Sequence, residues 1–310
     1  MNSLSSDHAD RGFKGAILVI VIVVLMVFGA VFLVLIDGAW PAMRRFGLGF
    51  IVHSGWDPVH LTFGALPFIV GTLIVATGAM AIAGVVGLLT AVCITELLPH
   101  WLQEPVAYLI ELLAFIPSVV YGLFGLLVIA PFLQVTVQPW MLEHLGTHFA
   151  VFNGAPYGVG YLAAIVILAI MLIPLIVALA REALLLVPTG QKEGALALGS
   201  KRWEVVRRIT IPYARNGIMG ALIVALGRAL GETIAVAMTI GGGFRLPTTV
   251  MDQGYTLSSV IANEFNEVSS DTYLSALIYC GLILFVITVS VNCLAYFSVR
   301  RLAGARGFKA

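Results

Sequence analysis

Charged residues are scarce in this sequence. Only 11% of its 310 residues are Asp, Glu, Lys or Arg, whereas about 25% is usual in a soluble domain. Hydrophobic residues make up 60% of the chain, and its mean hydropathy is +1.02. This composition excludes an ordinary soluble protein and indicates a membrane protein. The net charge of +1 says little about partners, and no nucleic-acid partner is expected.

Cysteine and lysine are also too few or too scattered for several kinds of site. The 3 cysteines, Cys93, Cys280 and Cys293, lie in apolar stretches without metal-ligand spacing, so we expect buried hydrophobic residues and no metal site. None of the lysines follows the G-x-x-x-x-G pattern of a phosphate-binding loop. The chain is therefore expected to be no ATPase or other enzyme and to hold no cofactor.

What the sequence does contain is a series of long stretches without charge. Each is long enough for the roughly 20 residues that cross a bilayer as a helix. The first, from Ala16 to Ile36, is longer than a signal-peptide core and lacks a following cleavage site, so we interpret it as a retained helix. Segmentation at charges, prolines and glycines predicts an all-α polytopic membrane protein with six helices at about 16–36, 68–95, 106–131, 157–180, 215–240 and 272–299.

The distribution of basic residues predicts the orientation of these helices. With the amino terminus inside, thirteen Lys and Arg residues lie in inner segments, whereas Arg44, Arg45 and Arg245 lie outside. Because Lys and Arg resist translocation, both termini are expected in the cytoplasm. The outer loops mix aromatic residues, Gly, Pro and acids, which is typical of headgroup-level loops and a docking surface.

A polar loop between the fourth and fifth helices, residues 182–214, predicts two short helices along the inner face. Pro188 opens the first and Gly199 ends it. The loop resembles the EAA loop of binding-protein-dependent ABC importer permeases, whose pattern is E-A-A, three residues, G, nine residues and I-x-L-P. The matching residues are Glu193, Gly194, Ala195, Gly199, Ile209, Ile211 and Pro212, with Gly194 and Ile211 departing from the pattern. The resemblance implies a coupling helix that docks on a separate ATPase subunit; contact with anionic lipid is the alternative.

Four further stretches resemble the PstC-type permeases of phosphate ABC importers: "SGWDPVHLTFGALPFIVGTLIVA", "TELLP", "ELLAFIPSVVYGLFG" and "ALGRALGETIAVAMTIGG". The resemblance implies a MetI-like, type I permease core over 66–299, after an amino-terminal segment, first helix and first outer loop over 1–65, and before a basic tail over 300–310. It also implies phosphate import into a bacterial cell by alternating access. The implied partners are a PstA-type second permease, two PstB-type ATPase subunits that use ATP and Mg, and an extracytoplasmic phosphate-binding protein. Sulfate or molybdate is the alternative cargo.

Two opposite charges interrupt the fifth predicted helix. Arg228 and Glu232 are four residues apart, so a continuous helix places them on one face about 6 Å apart along its axis. On that face the helix also carries small residues: Gly217, Ala221, Ala225, Ala235 and Thr239. Charges at this depth usually face a polar path or a partner.

Three roles remain open for the charged pair. It can be a self-satisfied structural pair, assisted by a Gly227-x-x-x-Gly231 helix contact. Alternatively, Arg228 contacts the anion through its guanidinium fork. In the third role, Glu232 also selects hydrogen phosphate over sulfate. Hydrogen phosphate can donate a hydrogen bond to the carboxylate, whereas sulfate can only accept hydrogen bonds.

Other polar residues in the spans are assigned either to the path or to structural contacts. Ser118 and Tyr121 follow Pro117, which can bend the third helix toward a cavity, so we place both near the path. Glu111 is interpreted as structural. An intramembrane enzyme and a passive anion channel are the alternatives from other functional classes. The predicted spans contain no Asp, and a channel has no need of an ATPase-docking loop.

Overall fold

The computed structural model describes the backbone of residues 3–304 and the side chains of residues 13–297. Its α-helices are α1 (Ser3–Phe46), α2 (Gly49–Val52), α3 (Leu66–Val92), α4 (His100–Ala114), α5 (Ser118–Phe124), α6 (Ala130–Phe132), α7 (Gln138–His144), α8 (Tyr161–Leu185), α9 (Thr189–Ala197), α10 (Arg202–Val205), α11 (Ile211–Gly231), α12 (Ile234–Thr239), α13 (Leu257–Glu264) and α14 (Asp271–Gly304). An antiparallel hairpin joins β1 (Trp56–Asp57) to β2 (Thr62–Phe63), with Trp56 opposite Phe63. Single 3₁₀ turns lie at Ala150–Phe152 and Phe265–Glu267. The predicted basic tail lies mostly outside the described residues.

Six helices within the described residues are long and apolar enough to cross a membrane, which confirms the predicted number. They are Phe13–Phe46, Leu66–Leu97, Ser118–His144, Tyr161–Leu185, Arg202–Gly231 and Asp271–Phe297. The predicted bounds of the third and fifth spans were wrong. The third lies further along the chain than 106–131, and the fifth begins before residue 215 and ends before residue 240.

Prolines explain much of this displacement. Four π-helical segments in the described chain, Cys93–Leu97, Gly125–Ile129, Leu133–Val137 and Val206–Thr210, each end one residue before an X-Pro bond. Ala130, ahead of Pro131, donates its N–H to the Gly125 carbonyl five residues back. A proline ring lacks an N–H and clashes with the carbonyl four residues earlier. At Pro131, Pro139 and Pro212 the wider π turn accommodates the ring and the helix continues. After Cys93–Leu97 the chain instead becomes extended at Leu98.

The segment before Pro117 forms a helix of its own. α4 ends at Ala114, and the chain then turns extended at Pro117 before α5 begins. A residue that precedes proline is disfavoured in the helical region, which accounts for the interruption at Ile116. α4 packs on α8, and Glu104 bonds the Arg181 guanidinium at 2.6 Å. The predicted helix over 106–131 was therefore two elements.

The bundle has two chemically different ends. We call the end with residues 186–201 the basic end, and the end with residues 47–65 and 241–256 the aromatic end. α3 and α8 run between them in close contact, since a Cβ added at Gly78 or Gly87 would lie 2.9 Å from an isoleucine side chain of α8. At the aromatic end, rings such as Phe50, Trp56 and Phe63 form a buried cluster. α3 and α8 thus form a closely packed pair that connects the two ends.

α1 stands apart from the rest of the bundle. Its apolar side chains from Phe13 to Val34 are largely exposed, whereas Ala39 and Ala42 are buried against α14. Close approach there depends on Gly38, because an added Cβ would lie 2.9 Å from Ile278. An apolar helix surface of this length suits contact with lipid tails or with another membrane subunit.

Candidate functional site

The fifth span is broken within the "GRALGET" stretch. α11 ends at Gly231, Glu232 is extended with φ −65° and ψ 126°, and α12 begins at Ile234. Hydroxyl groups bond the backbone at the break: Thr233 donates to the Gly231 carbonyl at 3.1 Å, and Ser258 donates to the Glu232 carbonyl at 2.7 Å. Irregular backbone at membrane depth is tolerated where it is buried in protein or lines a polar cavity.

The expectation of one continuous face for Arg228 and Glu232 was wrong. Because the helix ends at Gly231, the four-residue spacing no longer stacks the two side chains. The small residues Ala221 and Ala225 face the buried core, whereas Arg228 lies on the exposed side of α11 in the same row as Val224. Two other members of the predicted face, Ala235 and Thr239, belong to α12.

Arg228 has no ion-pair or hydrogen-bond partner among the side chains of residues 13–297. Tyr121 of α5, another of the predicted path residues, lies within electrostatic range of its charge. The predicted Gly227-x-x-x-Gly231 contact is half formed: Gly227 packs against Asn292 of α14, and Gly231 faces open space. Arg228 therefore presents its guanidinium on a surface that the described part of the chain leaves uncovered.

Glu232 contacts the backbone of the next helix rather than Arg228. Its carboxylate accepts the backbone N–H of Ala235 at 3.4 Å and so caps the start of α12. The side chain is partly exposed. Within the described residues, no ion pair joins it to Arg228. The structure therefore gives Glu232 a local structural contact and leaves its carboxylate accessible.

α5 packs closely on α12 and brings its first turn to the same depth as the break. A Cβ added at Gly122 would lie 2.6 Å from the Met238 sulfur, and one at Gly125 would lie 2.6 Å from Thr239. Tyr121 donates its hydroxyl to the Leu113 carbonyl at 2.8 Å, so that proton is committed to the α4–α5 junction. Ser118 is partly exposed at the start of α5.

The polar loop at the basic end forms the two predicted helices, but the second is not separate from the fifth span. α9 carries Glu193, Gly194 and Ala195, and Gly199 follows with φ +88°. The Ser200 N–H bonds the Ala195 carbonyl at 3.1 Å and closes the helix end. The second piece is continuous with the fifth span, because the π turn before Pro212 joins α10 to α11. Ile209 and Ile211 lie within that joined helix.

The exposed surface of this loop is partly apolar. Leu198 is 90% exposed, and Leu186 and Trp203 also face outward. Glu193 and Gly194 are exposed beside them. Apolar side chains exposed on both sides of a short helix are typical of a surface that another protein covers.

The sequence prediction missed the ion pairs at the basic end. Arg181 of α8 is almost fully buried and lies 2.6 Å from Glu104, 3.5 Å from Glu182 and 3.9 Å from Glu111. The contact of Glu111 agrees with its predicted structural role. Lys192 of α9 bonds Glu96 at 2.6 Å, across a sequence separation of 96 residues. No local pattern links residues so far apart, although isolated charges at span ends mark the residues that need partners.

At the aromatic end, Asp252 organises the loop that follows α12. Its carboxylate accepts hydrogen bonds from the backbone N–H and hydroxyl groups of Thr248 and Thr249, at 2.7 to 2.9 Å. Burial raises the pKa of Asp252, but these hydrogen bonds, from Thr249 and then Thr248, outweigh it and bring the pKa below its ordinary value. The Tyr161 N–H bonds the Asp252 carbonyl at 3.0 Å, which ties the loop to α8.

The cysteine prediction holds for one of three residues. Cys280 is buried, whereas Cys93 is partly exposed and Cys293 is exposed. Among the described residues, no group of three His, Cys, Asp or Glu side chains could hold a metal ion.

Six spans, a broken fifth helix and a basic-end loop with a short exposed helix define a multi-pass membrane permease. Residues 83–304 match the family described as "Binding-protein-dependent transport system inner membrane component". The chain belongs to this family of ABC transporter permeases. It is therefore a transporter subunit rather than an enzyme, as predicted, and its family implies an ATPase partner and a binding-protein partner.

Curated relatives carry a more specific name. The chain is 44% identical to the "Phosphate transport system permease protein PstC" of Mesorhizobium japonicum over 289 residues, covering 92% of this chain and 88% of the relative. It is 40% identical to the protein of the same name from Haemophilus influenzae, covering 95% of this chain and 94% of the relative. Both matches cover nearly the whole chain, which confirms the predicted resemblance to PstC-type permeases.

Solved structures share the fold at low sequence identity. A bacterial alginate ABC transporter in complex with a pentasaccharide-bound periplasmic protein matches with a TM-score of 0.62 at 18% identity, covering 96% of this chain and 97% of that chain. The inward-facing methionine transporter MetNI matches with a TM-score of 0.57 at 20% identity, covering 75% of this chain and 93% of that chain. These similarities confirm the MetI-like, type I permease fold.

Proposed function

We propose that this chain is the PstC-type permease subunit of an ATP-driven importer of inorganic phosphate. The observation that carries the proposal is Arg228, an exposed guanidinium without a described ion-pair partner, inside a transmembrane span and next to a helix break. A guanidinium offers paired donors that fit phosphate oxygens. A charge at this depth is costly unless it faces a polar path or a partner. The names of the relatives support phosphate as the anion.

The exposed side of α11 supports the proposal of a second membrane subunit. Val224, Arg228 and Gly231 lie on that side, and this chain provides nothing opposite them among its described residues. We propose that a PstA-type permease covers this face, so that the anion passes between the two subunits. Ser118 and Tyr121 would line the path next to Arg228.

The basic end is proposed to face the cytoplasm, with both termini on that side of a bacterial inner membrane. The excess of Lys and Arg in its segments supports this orientation. Two PstB-type ATPase subunits would then contact the α9 surface of the permease pair and use ATP and Mg. An extracytoplasmic phosphate-binding protein would dock at the aromatic end.

Substrate choice is tested by reconstituting the complete importer in vesicles. We expect ATP-dependent and Mg-dependent uptake of labelled phosphate that requires the binding protein. Sulfate and molybdate are the competing cargoes. Each is offered under the same conditions, first without its own binding protein and then with it. Uptake of sulfate or molybdate above that of phosphate would overturn the proposal.

The role of Glu232 is tested by Glu232→Gln. Glutamine keeps an oxygen that can accept the Ala235 N–H, so the cap is preserved while the negative charge is lost. In this proposal the ionised carboxylate accepts a hydrogen bond from the hydroxyl group of hydrogen phosphate and repels sulfate. We therefore expect the ratio of sulfate to phosphate uptake to rise roughly tenfold, or about 1.4 kcal/mol of discrimination.

The control for this experiment is Glu232→Ala, which removes both the cap and the charge. A loss of stability confined to the Ala variant identifies the cap contribution. An unchanged ratio in the Gln variant would leave Glu232 with the structural role alone.

A further inference from the structure

The coupling-helix candidate α9 is attached to the bundle by more than its own chain connections. α9 has no fully buried residue, so its apolar packing against the bundle is slight. The Lys192 ammonium nevertheless lies 2.6 Å from a carboxylate oxygen of Glu96, with side chains that are 19% and 13% exposed. By contrast, the Glu104 and Glu182 partners of Arg181 are mostly exposed. The Lys192–Glu96 pair is therefore better shielded from solvent than the contacts of Arg181 with Glu104 and Glu182.

The backbone around Glu96 is hydrogen-bonded to α4. It lies in the π-helical segment Cys93–Leu97 that extends α3, and Leu98 bonds the Cys93 carbonyl at 3.1 Å just before Pro99. The Gln103 side chain, from the first turns of α4, donates to the Leu98 carbonyl at 2.9 Å and to the Thr95 carbonyl at 3.4 Å. A displacement of the Glu96 carboxylate is therefore expected to move the end of α3 together with α4.

The ion pair completes a triangle at the basic end. α9 is joined covalently to α8 on one side and, through Gly199, to the Arg202–Gly231 helix on the other. Lys192 adds a third attachment, to α3. Because α3 and α8 pack closely along their lengths, a movement of α9 that pulls on both displaces this pair as one body.

We propose that Lys192 and Glu96 form a strut that transmits the movement of α9 to the α3–α8 pair. This role rests on the proposed function as an ABC importer permease and deepens it. The two residues are positioning residues: neither is proposed to contact the transported anion. With the strut broken, ATPase subunits still dock and hydrolyse ATP, but less of their movement reaches the spans.

The experiment measures substrate transported per ATP hydrolysed in the complete reconstituted importer. Lys192→Met and Glu96→Gln are each expected to lower this ratio about tenfold, within the range of typical coupling free energies. Co-purification of the ATPase and its basal hydrolysis should stay within about twofold of the unmodified complex. The double exchange Lys192→Glu with Glu96→Lys restores the attraction and should recover most of the ratio.

Lys201→Met is the matched control, because it makes the same change of charge at an exposed position in the same loop. It should leave the ratio unchanged. Three results would overturn the strut: normal ratios in the single variants, no recovery in the double exchange, or loss of the ATPase from the single variants. Phosphate uptake by the unmodified complex separately tests the proposed function, and the ratio can be measured with whichever oxyanion that complex carries.

Discussion

Replacing Arg228 by glutamine is expected to abolish phosphate uptake while the importer still assembles. Glutamine removes the charge but keeps a polar side chain of similar reach. A bidentate guanidinium contact supplies two charge-assisted hydrogen bonds worth about 1.5–3 kcal/mol each, so uptake should fall at least about 100-fold. Because Arg228 is exposed and has no ion-pair partner among the described residues, its loss leaves no buried acid unpaired within this chain.

The measurement is uptake of labelled phosphate into vesicles, with ATPase co-purification recorded for the same preparations. Lys14→Gln provides the control for loss of an exposed positive charge, since Lys14 lies on α1, outside both proposed docking surfaces. Near-normal uptake by the Arg228→Gln variant would remove Arg228 from the path. Loss of assembly would instead indicate that Arg228 holds the two permease subunits together.

Replacing Gly199 by valine is expected to detach the ATPase subunits. Gly199 has φ +88°, which an L-residue adopts at a cost of about 1–2 kcal/mol and a β-branched residue at more. A Cβ at this position would meet no atom within 4 Å, so the backbone conformation alone decides the outcome. The turn between α9 and α10 would open, the exposed surface of α9 would shift, and co-purified ATPase should fall roughly tenfold.

Two control substitutions separate this effect from a general defect. Gly199→Asn should retain the ATPase, because asparagine tolerates the left-handed conformation far better than valine. Gly194→Ala should also retain it, since an added methyl group meets open space and alanine favours the helix by about 1 kcal/mol. Retention of the ATPase by the Gly199→Val variant would contradict a coupling role for this turn.

The sequence predicted the parts of the fold that depend on composition and local pattern. Five of the six spans follow from long charge-free stretches, and α9 and its end at Gly199 follow from Pro188, helix-forming residues and a glycine. The assignment of Tyr121 and Arg228 to a transport path stays a prediction from the sequence. Each of these inferences uses residues that act on their immediate neighbours.

The features that were missed depend on contacts between distant segments. The break at Glu232 is held by the hydroxyl of Ser258, which belongs to another helix. Lys192 and Glu96 meet only when α9 folds back on the end of α3. Gly231 gave a local indication that the fifth helix could end there, but the apolar residues after Thr233 favoured a continuous span.

The π turns before proline change how the faces of the third span are assigned. Each such turn inserts about one residue into the helical repeat, which rotates everything after it by about 100°. The Ser118–His144 span contains two, ahead of Pro131 and Pro139. A single helical wheel drawn for this span would assign residues beyond Pro131 to the wrong sides. Cysteine accessibility or cross-linking data on this span therefore need three separate helical wheels: one before the first π turn, one between the two turns and one after the second.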